Sequence, residues 1–309
     1  MMSSNDSYML FAGSSHPELG EQLAQCLGIT LGKISIETFP DGEIGVQILE
    51  NVHGRDVFVL QTIARHPNLY LMELLIIVDA LKRAGAHLIS AVIPYFGYGR
   101  QDRKGAASVP ITAKLVADLL QKAGVARLLT MDLHSEQIQG FFDIPVENLF
   151  ARPLLVKRLK EWPLENSVVV SPDIGRIKLA RAFAEELGTK YAVVDKRRVD
   201  AKQVESDALI GDVENKDVLL VDDICSTGET LRKALRICKE AGAKRIFAVV
   251  THGLFVQEAF KESAIEKMLI TNTVGYSHLG DIVEAVSVAP LFAQALRETN
   301  KAPLSLLCY

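Results

Sequence analysis

The chain lacks the features that would mark an extracellular, zinc-bound or nucleic-acid-binding protein. Its 309 residues include four cysteines, Cys26, Cys225, Cys238 and Cys308, with no CxxC pair and no zinc-ligand spacing. Without a disulfide framework, a reduced, cytoplasmic setting is expected. A formal net charge of −4 provides no electrostatic footprint for nucleic acid. The most apolar helical stretch, Leu69–Leu81, is interrupted by Glu73 and Asp79 and is too short to span a bilayer. The polar residues Met1 to Asp6 carry no basic-then-apolar signal pattern, so a soluble protein is expected. No GxxxxGK[ST] loop occurs, so any nucleoside triphosphate must be held by other means.

What is present suits a compact α/β protein: 49% hydrophobic residues, a mean hydropathy of +0.17, and length enough for two cores. Short apolar runs alternate with amphipathic stretches, the pattern of parallel sheets with crossover helices. Strands are predicted at Tyr8–Ala12, Asp56–Gln61, His87–Ile93, Arg127–Met131, Ser167–Val170, Tyr191–Val194, Asp217–Val221 and Arg245–Val250. Helices are predicted over His16–Leu27, Leu69–Ala84, Thr112–Ala123, Arg176–Leu187 and Thr230–Ala241. The chain also reads as a diverged duplication. Asp56-Val57-Phe58-Val59-Leu60-Gln61 leads to a helix ending Ala84-Gly85-Ala86, and Asp217-Val218-Leu219-Leu220-Val221-Asp222 leads to one ending Ala241-Gly242-Ala243. Two similar domains, 1–150 and 151–309, are expected, with the last helix able to pack back on the first.

The most informative stretch is Val218 to Thr230, where an apolar strand runs into Asp222 and Asp223, then Ser226-Thr227-Gly228-Glu229-Thr230 opens a helix. Backbone N–H groups and the helix dipole at such a turn can hold a phosphate. The two acids before it can accept from the hydroxyls of the sugar bearing that phosphate, so a ribose phosphate is the implied ligand. An ordinary strand-to-helix loop, with Ser226 or Thr227 as cap, is the plainer alternative.

This stretch resembles the loop shared by type I phosphoribosyltransferases and ribose-phosphate pyrophosphokinases. Phe39-Pro40-Asp41-Gly42-Glu43, Pro94 to Asp102, Met131-Asp132-Leu133-His134-Ser135, Gln137 to Phe142, Ser171-Pro172-Asp173 and Asp195-Lys196-Arg197-Arg198 resemble pyrophosphokinase motifs, in that family's order. The resemblance implies transfer of the β,γ-diphosphate of ATP to the 1-hydroxyl of ribose 5-phosphate. It implies ATP contacts from Phe39, Asp41, Glu43, Arg100, Gln101, Asp102 and His134, and Mg²⁺ held at His134 and Asp173. Ribose 5-phosphate would be bound by Asp222, Asp223, Ser226, Thr227, Gly228, Glu229 and Thr230. Lys196 and Arg198 would be catalytic, and alternation along a strand puts both on one side, where two cations can offset charge on the transferred group. The Phe39–Glu43 turn would serve a neighbouring subunit's ATP site, which makes a homodimer the minimum; family members commonly form hexamers.

The chain departs from that family pattern in four places. Glu229 and Arg176 stand where the family usually has Gly. Glu229 is expected to weaken ribose 5-phosphate binding, and Arg176 either to clash or to add a phosphate contact. The Arg103–Val109 segment and His53 also differ, which predicts weak or altered phosphate activation and ADP inhibition. The rival readings are a non-catalytic regulatory relative and a phosphoribosyltransferase. The first must explain why His134, Asp173, Lys196, Arg198, Asp222 and Asp223 are all retained, and the second why the N-terminal half exists.

Overall fold

The computed structural model describes residues 8–198, 205–254, 264–276 and 280–301, with the side chains of 196–198, 205–207 and 300–301 outside that description. The strands are β1 (Tyr8–Ala12), β2 (Ile34–Thr38), β3 (Ile44–Ile48), β4 (Asp56–Leu60), β5 (Leu88–Ile93), β6 (Arg127–Met131), β7 (Val146–Leu149), β8 (Ser167–Ser171), β9 (Lys190–Arg198), β10 (Glu205–Ile210), β11 (Asp217–Cys225), β12 (Arg245–Gly253), β13 (Lys267–Thr271) and β14 (Val283–Val286). The helices are α1 (Pro17–Leu27), α2 (Pro67–Arg83), α3 (Thr112–Ala123), α4 (Arg152–Leu159), α5 (Ile177–Leu187), α6 (Glu229–Glu240) and α7 (Ala289–Lys301). No helix among the described residues is long and apolar enough to cross a membrane.

The chain forms two compact units. One contains the residues up to Phe150, Thr273–Gly275 and the residues from Ser287 on; the other contains Ala151–Asn272 and Tyr276–Val286. The first unit carries a parallel sheet in the order β1-β4-β5-β6-β7 and an antiparallel hairpin, β2-β3. The second carries the order β10-β9-β8-β11-β12-β13-β14, parallel except for the edge pair β9-β10. Val218, Leu219, Leu220 and Val221 are all fully buried, as expected for a parallel strand covered on both faces.

The two units repeat one set of backbone bonds. In the first, Gly54 N–H donates to Gly85 O (2.8 Å), Arg55 to Val52 O (3.0 Å), Gly85 to Lys82 O (3.1 Å), Ala86 to Leu81 O (3.1 Å) and His87 to Arg55 O (2.8 Å). In the second, Asn215 donates to Gly242 O (2.9 Å), Lys216 to Val213 O (3.2 Å), Gly242 to Lys239 O (3.1 Å), Ala243 to Cys238 O (3.0 Å) and Lys244 to Lys216 O (2.9 Å). Gly85 and Gly242 take φ of 81° and 84°, the left-handed conformation that ends a helix most easily with glycine.

Several boundaries differ from the sequence expectation. Strands predicted to stop at Val221 and Val250 continue to Cys225 and Gly253, because the β11-β12 ladder goes on through Asp222–Val250, Ile224–His252 and Cys225–Gly253. Asp222 and Asp223 therefore lie within a strand rather than after it. Likewise β9 runs on past Val194, where β10 supplies an antiparallel partner.

At the start of β11 the fully buried Asp217 accepts from Arg245 Nε (2.9 Å), Arg245 Nη2 (2.5 Å) and Glu165 N–H (2.7 Å). Removing one partner of a buried pair strands the other charge, at a cost of about 3–5 kcal/mol. Arg245→Ala should therefore lower the urea midpoint of the second unit, read as a shifted unfolding transition; an unchanged midpoint would contradict this account. Burial also governs the thiols. It pushes both Cys225 and Cys238 up to about 12, with Asp222 adding to the effect at Cys225. Both should resist iodoacetamide at pH about 8 in the native protein and react on unfolding, since the thiolate is the reactive form. Peptide mapping by mass spectrometry distinguishes the two outcomes.

Candidate functional site

In the second unit, β11 carries the acid pair to its end. Asp222 and Asp223 are 8% and 7% exposed, and Asp222 Oδ1 accepts from the Asp223 N–H at 2.9 Å. Burial, followed by the neighbouring Asp223, raises the Asp222 carboxyl well above the ordinary carboxylate range, and Arg176 works in the opposite direction. After Cys225 the chain turns through Ser226 and Thr227 to Gly228, whose φ of 74° lets the turn enter α6 directly. The Glu229 N–H lies 3.4 Å from Thr227 Oγ1, and Thr227, Glu229 and Thr230 are exposed while Gly228 is buried. Glu229 is the first residue of α6, where the helix dipole favours a carboxylate. Thus Ser226–Thr230 form the turn and first residues at the N-terminus of α6, separated from the acids by Ile224 and Cys225.

Asp173 follows β8 and caps a short 3-10 turn, Ile174–Arg176, with Oδ1 accepting from the Arg176 N–H at 3.2 Å. The Arg176 side chain reaches the acid pair: Nη2 lies 2.9 Å from Asp223 Oδ2 and Nε 3.6 Å from Asp222 Oδ1. The sequence expected a clash or a phosphate contact from Arg176; in the structure its side chain forms an ion pair with the acids. Lys196 and Arg198 lie two residues apart within β9, and their side chains fall outside the described residues.

In the first unit, the tip of the β2-β3 hairpin contains Phe39, Asp41 and Glu43. The Phe39 N–H donates to Glu43 O (2.8 Å), and the Glu43 N–H donates to Asp41 Oδ1 (3.1 Å). Phe39 is 43% exposed, so it is not the core residue that a hairpin Phe would ordinarily be. The loop after β5 closes tightly, because a Cβ on Gly97 would fall 2.4 Å from Ile63 O. Arg100 and Gln101 are exposed and Asp102 half-buried. Gln101 is held to the start of α3: its Oε1 accepts from Thr112 Oγ1 (2.5 Å) and its backbone O from the Ala113 N–H (3.1 Å). His134 is half-buried in the turn after β6. That turn is fixed by the Asp132 N–H to Leu149 O (2.9 Å) and the Leu133 N–H to Asn148 Oδ1 (3.1 Å).

At the place where the second unit has Asp222, the first has Gln61, and its side chain is bound internally. Gln61 Nε2 donates to Glu73 Oε1 (2.7 Å) and Tyr70 O (3.2 Å), and Gln61 Oε1 accepts from Ser15 Oγ (2.6 Å). Ser14 donates to both oxygens of Glu73, at 2.7 Å from N–H and 2.5 Å from Oγ. The sequence reading noted Glu73 only as an acid breaking an apolar stretch; that misplaced charge was the signal of this network. For Arg176 the signal was a cation at the start of a helix, where the dipole disfavours it. Among the described residues, no three His, Cys, Asp or Glu side chains gather to hold a metal by themselves.

Two family models match the chain: the N-terminal domain of ribose phosphate pyrophosphokinase over residues 8–124, and the phosphoribosyl transferase domain over residues 146–279. Ribose-phosphate pyrophosphokinase from Wolinella succinogenes is 49% identical, covering 94% of this chain and 95% of its own. The Vibrio parahaemolyticus protein of the same name is 48% identical over 96% of this chain and 98% of its own. The crystal structure of phosphoribosylpyrophosphate synthetase from Mycobacterium smegmatis superimposes with a TM-score of 0.90 at 39% identity, covering 96% of this chain and 99% of that one. An acid pair leading into a phosphate-type turn, on two domains of this architecture, thus agrees with the relatives: the chain belongs to the ribose-phosphate pyrophosphokinase family.

Proposed function

We propose that this chain carries out the reaction its family is named for, forming 5-phosphoribosyl 1-pyrophosphate and AMP from ATP and ribose 5-phosphate. The observation that carries this reading is the buried Asp222-Asp223 pair near the end of β11, a few residues before the turn that opens α6. The carboxylates accept from the pentose hydroxyls. Ser226–Thr230 receive the 5-phosphate through backbone N–H groups and hydroxyls, aided by the helix dipole. The 1-hydroxyl oxygen then attacks the β-phosphorus of ATP. The bond from β-phosphorus to the oxygen bridging α and β breaks, its electron pair leaves with AMP, and the hydroxyl proton passes to solvent.

Transfer of this kind depends on positioning and on cations where charge spreads. We assign that task to Lys196 and Arg198. Phe39 gives adenine a flat apolar face, Asp41 and Glu43 shape the turn beside it, and Arg100 braces the triphosphate. Gln101 and Asp102 hydrogen-bond the nucleotide, with Gln101 oriented by α3. Mg²⁺ on the triphosphate would neutralise charge and fix the phosphate geometry. Asp173 suits that ion, since Mg²⁺ takes one or two carboxylates plus phosphate oxygens and water. His134 offers nitrogen, which suits a hard cation less, and it fits better as a donor to phosphate beside the metal. A homodimer is the proposed minimum unit, in which the Phe39 turn serves a second copy.

Purified protein with ATP, ribose 5-phosphate and Mg²⁺ should yield AMP and phosphoribosyl pyrophosphate in equal amounts, strictly dependent on the sugar phosphate. Lys196→Ala and Arg198→Ala should each reduce turnover about 10³-fold, on the scale of arginine fingers; a double variant near normal turnover would reject their catalytic role. Complete absence of AMP across metal and phosphate conditions would favour a non-catalytic relative instead. Glu229→Gly should lower the KM for ribose 5-phosphate a few-fold, because removing a carboxylate near the phosphate relieves repulsion that solvent only partly screens. An unchanged or higher KM would show that Glu229 points its charge away.

A further inference from the structure

Arg176 is the N-cap residue just before α5, at the end of a helix where a cation is electrostatically misplaced. A surface arginine in that position would turn its guanidinium to solvent. Here the side chain is 19% exposed and spans the two carboxylates, whose side chains are 9% and 10% exposed. Its own N–H is held by Asp173 Oδ1, so the base of the side chain is anchored as well as its tip. Two adjacent carboxylates buried in this way need positive charge from somewhere, since removing each from water costs several kcal/mol. Hydroxyl groups of a sugar donate hydrogen bonds but bring no charge. Without Arg176, the requirement would fall on a cation from solution, and a divalent one would suit two carboxylates.

We propose that Arg176 is a built-in cation for the Asp222-Asp223 pair, taking the part that a free divalent metal ion would otherwise take there, so that the pentose phosphate binds without a metal ion of its own. The inference rests on the reading that this pair accepts from the pentose hydroxyls. Its consequence is a division of metal dependence: Mg²⁺ is required for the nucleotide and dispensable for the sugar phosphate. Arg176 would then be a positioning residue, holding the two acids in place while the hydroxyls bind their remaining lone pairs. Burial and Asp223 push the Asp222 carboxyl up, and the Arg176 guanidinium is the cation that opposes them.

The test is calorimetric titration of ribose 5-phosphate into the full chain, without nucleotide, in EDTA and in millimolar Mg²⁺. The wild-type dissociation constant should agree within about threefold between the two conditions. Arg176→Gln should lose about tenfold or more in EDTA, the scale of a charged hydrogen bond, and recover with Mg²⁺. Arg176→Lys should stay close to wild type in both. A parallel measurement needs no sugar: Mg²⁺ should raise the Tm of ligand-free Arg176→Gln by mass action and leave that of wild type unchanged. A wild-type protein that needs Mg²⁺ to bind the sugar phosphate would overturn the proposal. So would an Arg176→Gln variant that binds as well as wild type in EDTA, or one whose Tm ignores Mg²⁺. If no form binds ribose 5-phosphate under any condition while the Tm pattern holds, the pentose reading fails and the counter-ion assignment stands.

Discussion

Placing two carboxylates side by side at the end of a buried strand sets the hardest electrostatic demand in this molecule. In water they would repel weakly; with less than a tenth of each residue exposed, each loses most of its hydration and their repulsion is poorly screened. The surroundings answer in two ways. The Asp223 N–H turns onto Asp222, and a guanidinium from the 3-10 turn after β8 bridges both acids. Two neighbouring parallel strands, β8 and β11, thus bring together the parts of one charge cluster. The order of strands in the sheet is what makes the chemistry possible, since ligands bind at the carboxyl ends of parallel strands.

The same scaffold serves different ends in the two units. Five backbone bonds recur around the helix-to-strand connections, down to a left-handed glycine in each. What differs is the side chain at the end of β4 in one unit and near the end of β11 in the other. Asp222 in the second unit has Gln61 as its counterpart, and Gln61 is occupied by Glu73, Ser15 and the Tyr70 carbonyl. A neutral amide in place of a carboxylate removes the need for a counter-ion and allows the network to close on itself. Function diverged by exchanging a few polar groups at strand ends while the hydrogen-bonded frame stayed in place.

Much of this was legible in the sequence, for identifiable reasons. β1, β6 and α3 sit where their apolar patterns put them: a one-sided helical stripe marks α3, and short apolar runs mark the two parallel strands. α4 falls outside the predicted helices: it is a short helix opened by Pro153, and a proline is as easily the end of a segment as the start of a helix. β7, β13 and β14 are only four or five residues long and lack an alternating pattern of their own. The acid pair and its turn were legible as a motif, since Asp-Asp before a hydroxyl-rich helix start is chemically specific. The Arg176 bridge was not, because ion pairs 46 and 47 residues apart in sequence depend on β8 lying beside β11.

The path of the chain has a consequence for how the protein is made. α7 belongs to the first unit, where it packs on α1: Arg297 donates to the Cys26 carbonyl, Thr299 Oγ1 donates to Glu147 Oε2 in β7 (3.2 Å), and just before α7 Ser287 Oγ donates to Gln22 Oε1 of α1 (2.5 Å). Thr273 of the same unit accepts from Thr62 Oγ1 at 2.7 Å. Residues near the start of this sequence therefore wait for partners made after the second unit. On the ribosome, where domains tend to mature in order of emergence, the usual order is reversed: the described strands of the second unit are complete at Val286, while the first unit still lacks α7.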